Sequence, residues 1–328
     1  MDAAENQNTA RENGVAVVIA AWRAGATVAR AVRSALAQPE AVEVIVVDDA
    51  SGDEGRTLEQ ARAADDGTSR LKVIALETNG GPSRARNAAL EVSKAPWFCV
   101  LDSDDYMEPG RLAVLLKTAQ DGYDMIADDL LQLAEGADPE TRAPLWFRDR
   151  PEQASDLTLE SFVRANLPDP KRPRGELGFI KPLIRRALMD QHAVRYDETM
   201  RLGEDFDLYA RLLAAGARMR LIPAAGYVSV MRAGSLADTR RRTDMAAFVA
   251  ADDRLLALPG LTAGERDALR SHRHTVNRWV AWIDFVEAMR RGRIDRAVAV
   301  MASDAKVAGA ILAQGWRTLA GKLLPRSA

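Results

Sequence analysis

The sequence predicts an α/β fold, with a mostly parallel central sheet flanked by helices and an all-helical extension at the C-terminal end. Three observations predict it. Over the first 120 residues, β-branched apolar runs alternate with amphipathic stretches of about ten residues, the signature of βαβ units. Acidic or glycine-rich turns follow several of these runs. From Asp238 onward only helical periodicity remains.

Val15–Ala21 is a short apolar run suited to a buried strand, and Thr27–Ala37 follows as a helix with Val28, Val32, Ala35 and Leu36 on one face. Val42–Val47 is a second β-branched run that ends in Asp48-Asp49, and Glu54–Ala64 is helical. Leu71–Leu76 is the third strand. Pro82–Val92 is a helix opened by Gly80-Gly81, with proline suited to its first turn. Trp97–Leu101 is the fourth strand, ending at Asp102, and Pro109–Ala119 is the next helix. Asp124–Leu133 reads as a strand. The stretch 138–175 reads as loop with a short helix near Leu157–Ala165. Gly203–Gly216 contains a helix, followed by two short strands, Arg218–Ile222 and Tyr227–Met231. Helices are expected at Arg241–Leu258, Ala263–Arg290, Ile294–Met301 and Ala305–Leu324. Right-handed crossovers place the strand C-termini on one edge, where open α/β sheets bind ligands. That edge gathers Ala21-Trp22, Asp48-Asp49, the turn at Asn79 and Asp102–Asp105.

Composition narrows the function. The 328 residues are 47% hydrophobic and 28% charged, enough apolar content for a large core. A formal net charge of −2 argues against a nucleic-acid partner. The charge is uneven, because twelve Lys/Arg against five Asp/Glu lie between Arg266 and Ala328. The lone Cys99 excludes an internal disulfide framework. Met1–Gly14 is polar, lacks a signal-peptide core and is expected to be disordered. With no apolar run of about 18 residues, a cytoplasmic protein is expected.

Two acidic motifs carry chemistry. Asp102-Ser103-Asp104 at a strand end offers hard oxygen ligands suited to Mg²⁺ or Mn²⁺ when a diphosphate completes the shell. Gly203-Glu204-Asp205 opens a helix, and a carboxylate there can take a proton from a hydroxyl nucleophile, with Asp205 the candidate base. Dinucleotide, phosphate-loop, serine-elbow and zinc motifs are absent. His192, His272 and His274 read as structural or surface residues, and Cys99 as a buried strand residue.

Five ordered pieces together resemble a family 2 inverting glycosyltransferase with a GT-A nucleotide-sugar-binding fold. They are Val17–Trp22, Val46–Ser51, Asn79–Asn87, Leu101–Asp105 and Gly203–Asp205, spread over about two thirds of the chain. The resemblance implies a catalytic domain over 15–237 and a helical extension over 238–328. It implies a UDP-sugar donor, with Asp49 on the uracil and Ala20 and Trp22 forming the base pocket. Tyrosine is usual where Trp22 stands. Asn79, Arg86 and Ser103 are expected on the nucleotide, Asp102 near the ribose or the metal, and Asp104 on a Mn²⁺ or Mg²⁺ ion. Glu204 is expected to orient the acceptor or support the site, Arg232 to approach the diphosphate or lie at a strand end on the surface, and Gly178 to line the acceptor site. Lys181 and Lys171-Arg172 are open to contact with an anionic acceptor, but read more simply as solvated loop. The finer resemblance is to bacterial succinoglycan-type exopolysaccharide glucosyltransferases, which implies UDP-glucose and a lipid-linked oligosaccharide acceptor. The basic tail, with Ile311, Leu312, Trp316, Leu319 and Leu323, is then expected to touch a membrane, a second subunit or the catalytic domain. The competing readings are a nucleotidyltransferase, disfavoured by the missing Gly-rich signature after the first strand, and a non-catalytic nucleotide- or glycan-binding protein.

Overall fold

A computed structural model describes residues 13–147, 153–169, 176–232, 242–303, 308–309 and 312. The expectations for residues 1–12, for Lys171-Arg172 and for nearly all of the last helix lie outside the described residues. The chain divides into two compact units, Met1–Ser235 and Leu236–Ala328.

The first unit is built on a mixed sheet. Its strands β1 (Val15–Ala21), β2 (Ala41–Asp48), β3 (Leu71–Ala75) and β4 (Trp97–Val100) are parallel in the order β3-β2-β1-β4. All residues of β1 except Ala20 are buried, as expected of a strand covered on both faces. Helices α1 (Val28–Leu36), α2 (Arg56–Arg62) and α3 (Pro82–Val92) are the crossovers. In α1 the buried residues Val28, Ala31, Val32, Ala35 and Leu36 recur at three- and four-residue steps, one stripe of a 3.6-residue period. After β4 come β5 (Tyr106–Met107), α4 (Arg111–Ala119) and β6 (Met125–Ala134). Short strands β7 (Ala143–Pro144) and β8 (Ser155–Leu157) and helix α5 (Leu159–Ala165) fill the middle region. Then follow β9 (Leu183–Arg185), α6 (Arg186–Gln191), α7 (Glu204–Ala214) and β10 (Met219–Met231).

Two of the differences from the sequence reading bear on the site, beside the short strands β5, β7 and β8 and the helix α6, which it did not contain. The two expected strands after α7 are one strand, β10, parallel to β6 with a register shift between Ile222 and Tyr227. At this irregularity the Ala225 and Tyr227 amides bond Asp128 Oδ2 at 3.1 and 3.2 Å. The side chain thus satisfies amides that would otherwise be buried orphans. The second feature is β9, three residues long, which pairs antiparallel with both β4 and β6. Its register sets Cys99 opposite Leu183. Lys181 therefore arrives beside the end of β4, next to Asp102.

The second unit contains α8 (Arg242–Leu256), α9 (Ala263–Arg290) and α10 (Ile294–Ala302). Thr262 caps α9, its hydroxyl accepting from Glu265 N at 3.2 Å while Glu265 Oε2 accepts from Thr262 N at 2.8 Å. His272 is buried and bonds Asp252 through Nδ1 at 2.8 Å, a structural role as expected from sequence. No helix among the described residues is long and apolar enough to cross a membrane.

Candidate active site

Four segments meet where β4 ends: α3, the Asp102 turn, the approach to β9, and the first turn of α7. Helix α7 starts after Gly203 and carries Glu204, Asp205 and Asp207 in its first turn, where carboxylates favour the positive end of the helix dipole. Glu204 and Asp205 are nevertheless buried and need partners. Arg86 of α3 supplies one. Its Nη1 donates to Glu204 Oε1 at 2.7 Å and Asp205 Oδ1 at 3.0 Å, and its Nη2 to Asp102 Oδ1 at 3.0 Å. Lys181 supplies the other, with Nζ 2.7 Å from Asp205 Oδ2 and 3.0 Å from Asp102 Oδ2. Two cations among three carboxylates leave one negative charge in excess.

The electrostatics follow from that arrangement. Burial opposes the charge on Arg86, but Asp205 and Glu204 hold it protonated well above its ordinary range. Burial opposes the charge on Lys181 as well, and Asp102 and Asp205 more than offset it, raising its pKa. For Asp102 the cost of burial is outweighed by Lys181 and Arg86, which keep its carboxyl below the usual range. Glu204 is pushed up by burial, against the pull of Arg86.

Helix α3 also fixes the chain that leads into α7. Ser83 Oγ donates to Met200 O at 2.8 Å. Asn87 Nδ2 donates to Tyr196 O at 3.0 Å, and its Oδ1 accepts from Tyr196 N at 3.1 Å. The Arg86 guanidinium lies 5.3 Å from the centre of the Tyr196 ring, a cation–π distance.

On the expected nucleotide side, Asp49 is buried, and its two oxygens accept from Gly80 N and Gly81 N, each at 2.7 Å. Asn79 closes the clamp, with Nδ2 donating to Asp49 O at 2.9 Å and Oδ1 accepting from Arg201 at 3.0 Å. Gly81 has φ 88° and ψ 174°, a region that only glycine occupies readily. A Cβ there would stand 3.2 Å from Arg201 Cγ. Gly81→Ala is therefore expected to cost about 1–3 kcal/mol in a urea melt. Ala20 is half-buried, while Trp22 is 48% exposed. The Arg23 guanidinium lies 4.8 Å from the centre of the Trp22 ring.

On the expected metal side, Ser103 and Asp104 are half-buried. Asp104 Oδ2 accepts from Arg232, and its carbonyl from Arg30. The next residue, Asp105, belongs to the scaffold. Its oxygens accept from Val230 N at 2.8 Å and Tyr227 OH at 2.9 Å, and burial, with Asp102 and Asp104 nearby, pushes its pKa up to about 8. Among the described residues, no group of three or more His, Cys, Asp or Glu side chains is arranged to hold a metal ion.

The structure thus brings Arg86, Asp102, Glu204 and Asp205 into contact and joins Asp49 to Asn79. It sets Arg232 on Asp104. Gly178 bonds Asn166 Oδ1 through its amide at 2.7 Å, and a Cβ there would lie 3.3 Å from Phe206 Cβ, so Gly178 permits close packing against α7. The solvated reading of Lys181 is corrected: the residue is 5% exposed and ion-paired at the centre of the cluster. Sequence patterning missed it because its placement depends on the antiparallel register of β9. The one available signal was a lysine two residues before a β-strand-like Leu-Ile pair. Cys99 is buried, as expected, and burial pushes its thiol up to about 11.

Comparison with known proteins agrees with this architecture. The family model "Glycosyl transferase family 2" matches residues 16–164. The chain is 46% identical over 268 residues to succinoglycan biosynthesis protein ExoU of Rhizobium meliloti (strain 1021), covering 81% of this chain and 76% of that protein. Its fold is similar to that of S. aureus TarS solved with UDP-GlcNAc, with a TM-score of 0.62 at 19% identity, over 88% of this chain and 90% of that one. It is also similar to the mannosyltransferase PcManGT from Pyrobaculum calidifontis, solved with GDP-Man and Mn²⁺, with a TM-score of 0.57 at 17% identity, over 93% and 79% of the two chains. With 46% identity to ExoU over an alignment that spans most of both chains, and with the GT-A architecture around its acidic cluster, the chain belongs to glycosyl transferase family 2.

Proposed function

We propose that this chain is an inverting, metal-dependent hexosyltransferase that moves glucose from UDP-glucose to a hydroxyl of a growing lipid-linked oligosaccharide. The setting is exopolysaccharide biosynthesis at the cytoplasmic face of a membrane. One observation carries the reading: Asp205, at a helix start, and Asp102, at a strand end 103 residues earlier in the sequence, are held in one cluster by the same two cations. A base and a donor-side carboxylate held in one cluster fit a reaction in which a hydroxyl attacks an activated sugar. The likeness to ExoU supports the polysaccharide setting, and the UDP-GlcNAc bound by TarS supports a UDP-sugar donor.

The residues divide the work. Asp205 takes the proton of the acceptor hydroxyl as that oxygen bonds the anomeric carbon and the bond to diphosphate breaks. A single displacement of this kind inverts the anomeric centre and needs no protein nucleophile. Arg86 and Lys181 bond Asp102 and Asp205 together and so orient them. Asp49, Asn79 and Ala20 hold the nucleotide, with Trp22 packing on the base. Asp104 fits a divalent ion, because Mg²⁺ and Mn²⁺ sites commonly use one or two carboxylates plus phosphate oxygens. When bound, such an ion neutralises the departing diphosphate. Arg232, already on Asp104, is placed to pair with phosphate oxygens once that carboxylate is engaged.

UDP release is measured with Mn²⁺ or Mg²⁺ over a panel of UDP-sugars without acceptor. Hydrolysis of UDP-glucose is expected, with loss on chelation and a fall of about 10²-fold or more in Asp104→Ala. UDP binding without turnover, with or without a lipid-linked acceptor, favours a non-catalytic binding protein. Neither binding nor turnover sinks the UDP-sugar assignment.

A further inference from the structure

We propose that Lys181 is a positioning residue that fixes Asp205 relative to Asp102 and so sets the line along which the base meets the acceptor. The inference deepens the proposed function and rests on Asp205 being the base. Lys181 Nζ spans the two carboxylates, 2.7 Å from Asp205 and 3.0 Å from Asp102. Without it, Oδ2 of the buried Asp205 and Oδ2 of the half-buried Asp102 would face each other with no cation between them. Arg86 cannot replace it, because its Nη1 is already divided between Glu204 and Asp205, and its Nη2 is on Asp102.

The lysine is itself anchored from behind. Arg111 Nη2 donates to Lys181 O at 2.6 Å, and Arg111 is fully buried and bound to Asp128. The antiparallel pairing of β9 with β4 and β6 fixes the chain two residues later. Backbone and ammonium are therefore both constrained, and Lys181 transmits the rigidity of the sheet to the Asp205 side chain.

The test combines Lys181→Met with Asp205→Asn in a cycle, read by UDP-glucose hydrolysis with Mn²⁺ and by UDP titration. In the wild-type background Lys181→Met is expected to lower kcat about 10²-fold, the usual cost of misplacing a reacting group by about 1 Å. UDP affinity is expected to stay within about threefold. In the Asp205→Asn background the same substitution is expected to cost less than about threefold, because the group it positions is gone. Lys181→Arg is expected to restore part of the loss. An equal fall in both backgrounds overturns the proposal, as does a fall in UDP affinity that matches the fall in kcat. If Lys181→Met does not fold, Lys181→Gln, which keeps much of the stem and a donor, enters the same cycle. If the wild type neither binds UDP nor hydrolyses the donor, the donor reading fails, and a crystal structure of Lys181→Met or Lys181→Gln still decides on Lys181. An Asp205 carboxylate that has left its place between Arg86 and residue 181 supports the proposal, and an unmoved one overturns it.

Discussion

Asp205→Asn is expected to lower turnover by about 10²–10⁴-fold, the range that a positioned general base supplies, while leaving UDP affinity nearly unchanged. The substitution is nearly isosteric, so its effect is on charge. In the native cluster, Asp205 accepts from Arg86 through Oδ1 and from Lys181 through Oδ2. An amide can satisfy only one of these donors and turns its NH₂ toward the other. The cluster meanwhile loses its excess negative charge, since two cations would then face two carboxylates. These effects oppose each other in stability, so the variant is expected to stay folded. Asp49 and Asn79, on the nucleotide side, make none of their recorded bonds to Asp205. Hydrolysis and acceptor transfer are measured beside UDP titration and a thermal melt. Turnover within about threefold of the wild type would remove Asp205 from the role of base and leave Glu204 as the candidate.

Much of this site was legible in sequence, and the reason is local. A strand that ends in Asp102, a helix that opens on Glu204-Asp205, and the Gly80-Gly81-Pro82 entry to α3 each show within a few residues. The parallel part of the sheet was legible for the same reason, because each crossover repeats the alternation. The chain from Asp102 to Lys181 to Asp205 was not legible. It depends on β9, whose three residues carry no period and whose direction is set by partners about 60 and 85 residues earlier. The buried state of Arg86 was likewise hidden, since an arginine in a helix normally lies on its surface. Its burial follows from three carboxylates brought in by tertiary contact. Asp49 was legible as a strand-end carboxylate, but the two backbone amides that hold it belong to a turn more than thirty residues later.

The same distinction applies to Arg111, whose removal is expected to have the largest effect on stability. It is the first residue of α4, where a cation opposes the helix dipole, so another interaction must hold it there. That interaction is a buried pair in which Arg111 Nε and Nη2 donate to Asp128 Oδ1 at 3.0 and 2.7 Å, with both residues at 1% exposure or less. The guanidinium also lies 5.0 Å from the centre of the Tyr227 ring. Arg111→Met leaves the buried Asp128 carboxyl without its cation, and breaking a buried pair in this way costs about 3–5 kcal/mol. Asp128 cannot simply be removed in compensation, because its Oδ2 accepts the Ala225 and Tyr227 amides at the irregularity of β10. Asparagine at 128 keeps an oxygen for those amides and carries no charge. The double variant Arg111→Met/Asp128→Asn is therefore expected to recover most of the loss and to lie about 1–2 kcal/mol below the wild type. Urea denaturation of the two single variants and the double variant measures the cycle. A single-variant loss under about 1 kcal/mol would mean that water or a rearranged side chain satisfies Asp128.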